Sequence, residues 1–251
     1  MISFNSRGIR IGEVWFRPPS DEDFSSGHDV IFFFQAPHTE KLKNAVPFLT
    51  SVVDLHKSEE EIFSAIRKNT VYQIRRAEDR DHVKFELFVK PSKEIFGEFL
   101  VFFNDFACFK GLGLIRGPRV ESYRQAGTLA LSRMVSDTDG AVVSWHAYFV
   151  GEGRSRLLYS ASLRAGKGTD ETARIGRVNR YHHWLDICEF KKLGFDVYDF
   201  GGISKGDDPA AAGIRWFKEG FGGEHEESDY GIAAVSWKGK GYLFLRNLLK
   251  R

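Results

Sequence analysis

Residues Val197–Glu224 read V-Y-D-F-G-G-I-S-K-G-D-D-P-A-A-A-G-I-R-W-F-K-E-G-F-G-G-E. The stretch opens on alternating apolar and polar residues, Val197, Tyr198, Asp199 and Phe200, the period of a short strand. It breaks at Gly201-Gly202, where glycine makes backbone turns of either hand inexpensive. A polar loop follows, Ser204 to Asp208. Asp208-Pro209 then reads as an N-cap with proline at the first helical position. Ile214, Phe217 and Phe221 recur at helical spacing, and Gly220 is the expected stop. The unit is strand, glycine turn, loop and short helix, and it carries the basic-aromatic cluster Arg215, Trp216, Phe217, Lys218. Units of this kind place backbone N–H groups and a cation around a reacting carbonyl or phosphate. The plainer alternative is a β-α connection with Lys218 in water.

Around this stretch, 251 residues with 42% hydrophobic content are enough for a large core. The 23 phenylalanines point to thick aromatic packing between a sheet and its helices. A net charge of +2 gives no global case for nucleic acid, so any phosphate-bearing partner must be met by a local patch. Cys108 and Cys188 have no metal-ligand or redox spacing and are expected as buried free thiols, in keeping with a reducing cytoplasm. No apolar run approaches a membrane span, and M-I-S-F-N-S-R-G-I-R lacks a signal core. The expected localisation is cytoplasmic.

Two strands are expected within 10–18 and 28–36, and a third from Ser51 to Leu55. Ser58 with Glu61 forms a capping box ahead of a helix that buries Ile62, Phe63 and Ile66. The most basic window follows, R-K-N-T-V-Y-Q-I-R-R-A-E-D-R from Arg67 to Arg80. Its arginines suit an anion-binding surface or a solvated helix face. Val83–Val89 alternates strictly and predicts a strand with one wet face. A phenylalanine-rich helix then runs to about Lys110, and a shorter one covers Arg119 to Gln125. Three strands, Thr128–Val135, Ala141–Val150 and Arg154–Leu163, are separated by turns short enough for an antiparallel meander. A helix over about 174–193 ends at Leu193-Gly194-Phe195, a glycine C-cap with its apolar contact. Beyond the opening stretch come a strand around Tyr230 to Trp237 and a terminal amphipathic helix. The order is α+β: a mixed, mostly antiparallel sheet with helices on both faces.

Three passages carry a resemblance. V-D-L-H-K-S-E-E-E-I-F-S-A-I-R-K-N-T-V-Y-Q-I-R-R-A-E-D-R, R-L-L-Y-S-A-S-L-R with the later K-K-L-G-F-D, and Y-D-F-G-G-I with G-I-R-W-F-K-E-G-F-G-G-E together resemble the FemAB branch of the GNAT superfamily of N-acyltransferases, in its BioF2-like or acetyltransferase 6 group. The resemblance covers about residues 50 to 236 and implies a GNAT-like acyltransferase domain over 81–251. Residues 1–80 are then an N-terminal extension or partial lobe carrying the basic helix, too short for a second full lobe. It implies an enzyme that moves an acyl or aminoacyl group to an amine acceptor, a cell-envelope sugar or peptide precursor. The donor is acyl-CoA or aminoacyl-tRNA, with tRNA a partner in the second case, and no metal is expected. The R/Q-x-x-G-x-G/A pyrophosphate loop of acyl-CoA users is not matched by Arg164-Ala-Gly-Lys-Gly-Thr. The alternatives are an acetyl-CoA-dependent N-acetyltransferase of an amino sugar or small amine, and a non-catalytic GNAT-like binding module.

The resemblance sets Phe217 and Lys218 at the family's Phe-Lys pair, whose lysine is associated with holding the tetrahedral oxyanion. A charged donor in a dry site contributes more than one in water. Asp199, Gly201 and Gly202 fall at the strand end beside the acyl site, where Asp199 either orients the amine or caps the glycine turn. His146, mid-strand in S-W-H-A-Y-F, is a catalytic candidate weighed against a core role. Tyr181 and His182 are candidate pocket residues weighed against packing. Trp216, Arg215, Arg67, Arg75 and Arg76 complete the expected substrate-binding set. No Ser-His-Asp or Cys-His order at a glycine elbow supports hydrolase chemistry.

Overall fold

The structure is a computed structural model that describes residues 1–163, 168–203 and 209–248. The expected loop Ser204–Asp208, with its N-cap, and most of the Arg164–Thr169 loop lie outside the described residues. In chain order the elements are β1 (Ile2–Ser6), β2 (Ile9–Trp15), α1 (Asp21–Ser25), β3 (Val30–Ala36), β4 (Val46–Asp54), α2 (Glu59–Ala65), α3 (Lys68–Arg80), β5 (Val83–Val89), α4 (Lys93–Lys110) and α5 (Pro118–Gln125). There follow β6 (Leu129–Ser136), β7 (Val142–Gly151), β8 (Arg154–Ser162), α6 (Thr169–Lys192), β9 (Val197–Gly202), α7 (Pro209–Glu219), β10 (Glu224–Ala234) and α8 (Trp237–Leu248).

These elements form two compact units. The first takes Met1–Leu49, Arg116–Ala126 and the described residues from Glu226 onward; the second takes Thr50–Ile115 and Gly127–His225. In the first, β1 pairs antiparallel with β2, β2 parallel with β3, and β3 antiparallel with β10. One face packs Val14, Ile31 and Phe33 on Phe24, and the other packs Ile11, Val30 and Phe32 on Tyr242 and Leu243 of α8. β1 has only two apolar residues, and it escaped the sequence reading for that reason.

The second unit orders its strands β4-β9-β8-β7-β6-β5. The β6-β7-β8 meander is antiparallel throughout, as is β5 on β6, and β8 runs parallel to β9. Helices cover both faces. Along β7 the pleat alternates side chains, so Trp145 meets Phe99 of α4 at 6.0 Å between ring centroids, while its neighbour His146 bonds to Asp186 of α6. The Ser58–Glu61 capping box is present, and Gly194 ends α6 at φ 81° with Phe195 against Phe190.

Some expectations need correction. β10 starts at Glu224, not near Tyr230, and Trp237 begins α8 rather than ending a strand. The polar run E-H-E-E-S-D lacks the strand period, yet ladder bonds to β3 hold the later part of β10 extended. Cys108 is exposed on α4, whereas Cys188 is buried, and burial followed by the Glu59 charge pushes its thiol up to about 12.

The F-G-G-E end of the opening stretch has a packing reason. Gly222 sits at φ 72°, and a Cβ there would come within 2.4 Å of the Ala65 carbonyl oxygen at the end of α2. A Cβ on Gly223 would meet the Val52 carbonyl oxygen of β4 at 2.8 Å. Both obstacles are backbone and cannot swing aside. Replacing Gly222→Ala is therefore expected to cost on the order of 2 kcal/mol or more, read as a fall of several degrees in thermal midpoint. An unchanged midpoint would show that α2 is free to recede.

Candidate functional site

β8 and β9 stay paired only through Arg154↔Val197, Ser155↔Tyr198 and Arg156↔Asp199. β8 also carries an irregularity against β7 between Ala147 and Tyr148, which shifts its register at this level. Past these pairs, Leu157 and Ser160 on β8 and Phe200 on β9 line a cavity of about 510 Å³. Its wall continues with Phe106 and Leu112, with Gly176, Asn179, Arg180 and His183 of α6, and with Trp216, Phe217 and Lys218 of α7. The lining is mostly apolar. Among the described residues its lining includes two cations, Lys218 and Arg180, and no carboxylate. An apolar cleft with a few convergent polar groups is the usual form of a small-ligand site.

Lys218 donates to the Gly202 carbonyl oxygen at 2.7 Å. Burial first, and then the Arg156 charge, lower its ammonium to about 8, with Asp199 opposing. It therefore remains largely protonated at neutral pH and is a poorly hydrated donor. Asp199 is fully buried. Its Oδ1 accepts from Thr50 Oγ1 at 2.8 Å and from the Gly201 N–H at 2.7 Å, and its Oδ2 accepts from Arg154 at 2.9 Å. Gly201 adopts φ 75°, and a Cβ there would stand 3.0 Å from the Leu157 carbonyl oxygen, so a glycine is needed where the strands part.

A second polar group lies beneath the cavity. His146 is stacked between His182, at 3.7 Å between centroids, and His183, at 4.1 Å. His146 Nδ1 donates to Asp186 Oδ2 at 2.7 Å, and Tyr148 donates its hydroxyl to the same oxygen at 2.7 Å. Tyr148 joins the Tyr198 hydroxyl at 2.8 Å, and Tyr198 joins His183 Nδ1 at 2.7 Å. His146 Nε2 lies 3.0 Å from the Asn179 side-chain oxygen. The chain thus begins and ends on residues of the cavity wall. Burial, followed by the Asp186 charge, raises both tyrosines well above the ordinary phenol value, so they stay hydroxyls. Burial lowers His182 and His183 well below the ordinary imidazole value, so both are neutral.

His146, His183 and Asp186 bring ligand-type atoms within 4.8 Å of one another. Stacked imidazoles direct their in-plane lone pairs side by side rather than toward a common point. The nitrogens that reach Asp186 and Tyr198 are also already in hydrogen bonds. In the structure these groups are joined in a continuous hydrogen-bonded chain.

The cavity brings together Trp216, Phe217 and Lys218 from the sequence-predicted set. Gly202 is the Lys218 acceptor, and Gly201 is the turn. The others lie elsewhere. His146 is sealed beneath the wall, and His182 is held between Ser132 and Ser144. Tyr181 packs between two apolar clusters. Arg67 stacks on the Trp216 ring at 4.7 Å and donates to its carbonyl oxygen. Arg75 lies over Phe63, and Arg76 donates to the Tyr72 hydroxyl. Arg215 is half-buried on α7. The residues missed were Asn179, Arg180 and His183. With Gly176 they stand at i, i+3, i+4 and i+7, one face of a helix, and that stripe was present in the sequence.

The fold is one that solved structures of other proteins share. Among solved structures it resembles FemX, with a TM-score of 0.58 and 14% identity over 78% of this chain and 63% of that one. It also resembles the C-terminal domain of a putative lysylphosphatidylglycerol synthetase from Agrobacterium fabrum, with a TM-score of 0.56 and 13% identity over 96% of this chain and 82% of that one. L-PGS from Bacillus licheniformis gives a TM-score of 0.53 and 16% identity over 88% and 73%. The chain spans less than two thirds of the FemX chain. Neither a protein-family model nor a curated protein matches the sequence. Among the described residues, no helix is long and apolar enough to cross a membrane.

The depressed Lys218 value fixes a sign. Its folded pKa of about 8 lies below the ordinary 10.5, so between those values the unfolded chain binds more protons and stability rises with pH. Below about 8 the full penalty is present. Each pKa unit corresponds to about 1.4 kcal/mol. Lys218→Met is expected to raise the thermal midpoint at pH 7 and to lose that advantage above pH 10. A lower midpoint at pH 7 would show that the bond to Gly202 outweighs desolvation.

Proposed function

We propose that this protein is an N-acyltransferase or aminoacyltransferase acting in the cavity between β8, β9, α6 and α7. The observation that carries the reading is Lys218, a half-buried cation at the point where two parallel strands part. Acyl transfer to an amine makes a C–N bond while the carbonyl π pair moves onto oxygen. That oxygen then needs a donor whose field is not screened by water. Lys218 supplies it and leaves the Gly202 carbonyl oxygen to do so. Phe217, Phe200 and Leu157 exclude water from the acyl group. Asp199 positions the strand end and, through its charge, keeps Lys218 protonated.

The acceptor proposed is an amine on a cell-envelope sugar or peptide precursor, and the donor an acyl-CoA or an aminoacyl-tRNA. FemX, L-PGS and the domain of a putative lysylphosphatidylglycerol synthetase share the fold, which supports an aminoacyl donor. The cations on the cavity wall suit the oxygens of either donor. A cytoplasmic setting follows from either donor.

The test is a transfer assay. Radiolabelled aminoacyl-tRNA and acyl-CoA are offered with amine acceptors, and products are resolved by mass spectrometry. Transfer by the native protein and a loss of about 10²–10³-fold in Lys218→Ala are expected. Undiminished transfer in that variant would remove the proposed oxyanion donor.

A further inference from the structure

We propose that His183 is the proton acceptor of the cavity, with Nε2 the reactive atom and Asp186, Tyr148 and Tyr198 fixing its tautomer. This rests on the transferase reading above. The argument is a count of hydrogens. Asp186 Oδ2 accepts from Tyr148, so the single hydroxyl hydrogen of Tyr148 is committed there. The Tyr148–Tyr198 bond at 2.8 Å then requires Tyr198 as donor. With its own hydrogen committed, Tyr198 meets His183 only as an acceptor, and the 2.7 Å contact must be an Nδ1–H donation. A neutral imidazole has one N–H. Nε2 therefore bears the lone pair.

Nε2 has no hydrogen-bond partner among the described residues, yet it is not among the sealed atoms that lack one. His183 lines the cavity beside Lys218, and Nε2 is the ring nitrogen left to open into it. The groups facing the ring are His146 stacked from β7, Tyr198 from β9, Lys218 from α7, and Arg180 one turn away on α6. Two of these are cations that oppose protonation. They act alongside burial, the largest cause, to keep the lone pair available into mildly acidic solution.

The step balances. The amine nitrogen attacks the acyl carbon, and the carbonyl pair moves to the oxygen held by Lys218. The ammonium-like nitrogen of the adduct gives one proton to His183 Nε2. The oxygen pair returns, the bond to the oxygen or sulfur leaving group breaks, and the imidazolium returns its proton to that group. Nδ1–H donation to Tyr198 stabilises the imidazolium meanwhile. Nothing beyond donor and acceptor is consumed.

Two measurements test this. In protein labelled with ¹⁵N-histidine, two-bond ¹H–¹⁵N spectra should show the His183 ring protonated on Nδ1, the signal being assigned by its loss in His183→Gln. An Nε2–H tautomer overturns the proposal. In the transfer assay, His183→Ala should lose about 10²-fold or more, with partial recovery on adding imidazole. Tyr198→Phe, which keeps the packed ring, should lose activity and shift the acidic limb of the pH profile. The native profile should hold to below the ordinary imidazole range and fall above about pH 8 as Lys218 loses its proton. Native transfer unchanged in both variants overturns the base role alone. Absence of transfer by the native protein overturns the transferase reading and the base role with it, while the tautomer remains separately measurable.

Discussion

One carboxylate joins three strands of the second unit. Asp199 of β9 accepts from Thr50 on β4, from Arg154 on β8 and from the N–H of Gly201 in its own turn. A buried carboxylate is tolerated when its acceptor sites are filled by charged or backbone donors, and here the filling sets where the sheet may open. Up to Asp199 the parallel ladder to β8 is intact; beyond it the strands part. The cavity, the Gly202 carbonyl oxygen and the lysine that reaches it all depend on that stop. Removing the carboxylate would take away three accepted hydrogen bonds at once, from Thr50, Arg154 and the Gly201 N–H.

The two polar groups of the second unit differ in kind. Lys218 is held against its solvation preference, its charge desolvated by the wall around it and only partly offset by Asp199. The His146–Asp186–Tyr148–Tyr198–His183 chain uses nearly all of its donors and acceptors, leaving Asp186 Oδ1 as a sealed atom without a bond. A nearly saturated polar network in a dry core is rigid and permits few proton arrangements. That restriction is what turns a list of contacts into an assignment of tautomer. The strained cation and the ordered relay meet at the cavity wall, the first on α7 and the second through α6.

Much of this was legible wherever the signal was local. Val83–Val89 alternates and is β5; Ser58 and Glu61 stand three apart and cap α2; Gly194 ends α6. Trp216, Phe217 and Lys218 were found because one short segment carries them all. What stayed hidden depended on partners distant in sequence. Glu224–Asp229 is polar and carries no strand period. Which of the neighbours His182 and His183 meets the cavity depends on how α6 is rotated over the sheet, though the Gly176–Asn179–Arg180–His183 stripe marked the face. Phe106, Leu112 and Ser160 carry no mark at all, since a wall residue there looks like any core or loop residue until the strands part.

Each unit joins strands that are neighbours in sequence and one pair that lies far apart along the chain. The meander of the second joins neighbours through turns of a few residues, but its β4 must also find β9, Thr50 against Gly202. The first needs β10 to find β3, Asp229 against Ala36, with the whole of the second unit's sequence between them. Closing so long a loop costs little extra free energy, since the entropy grows only with the logarithm of length, but it costs time. The β3–β10 and β4–β9 pairings are therefore the late-forming parts of the two units. Until β10 arrives, the β3 edge, with its Val-Ile-Phe-Phe-Phe run, stands open, and it is there that a chaperone would have most to shield.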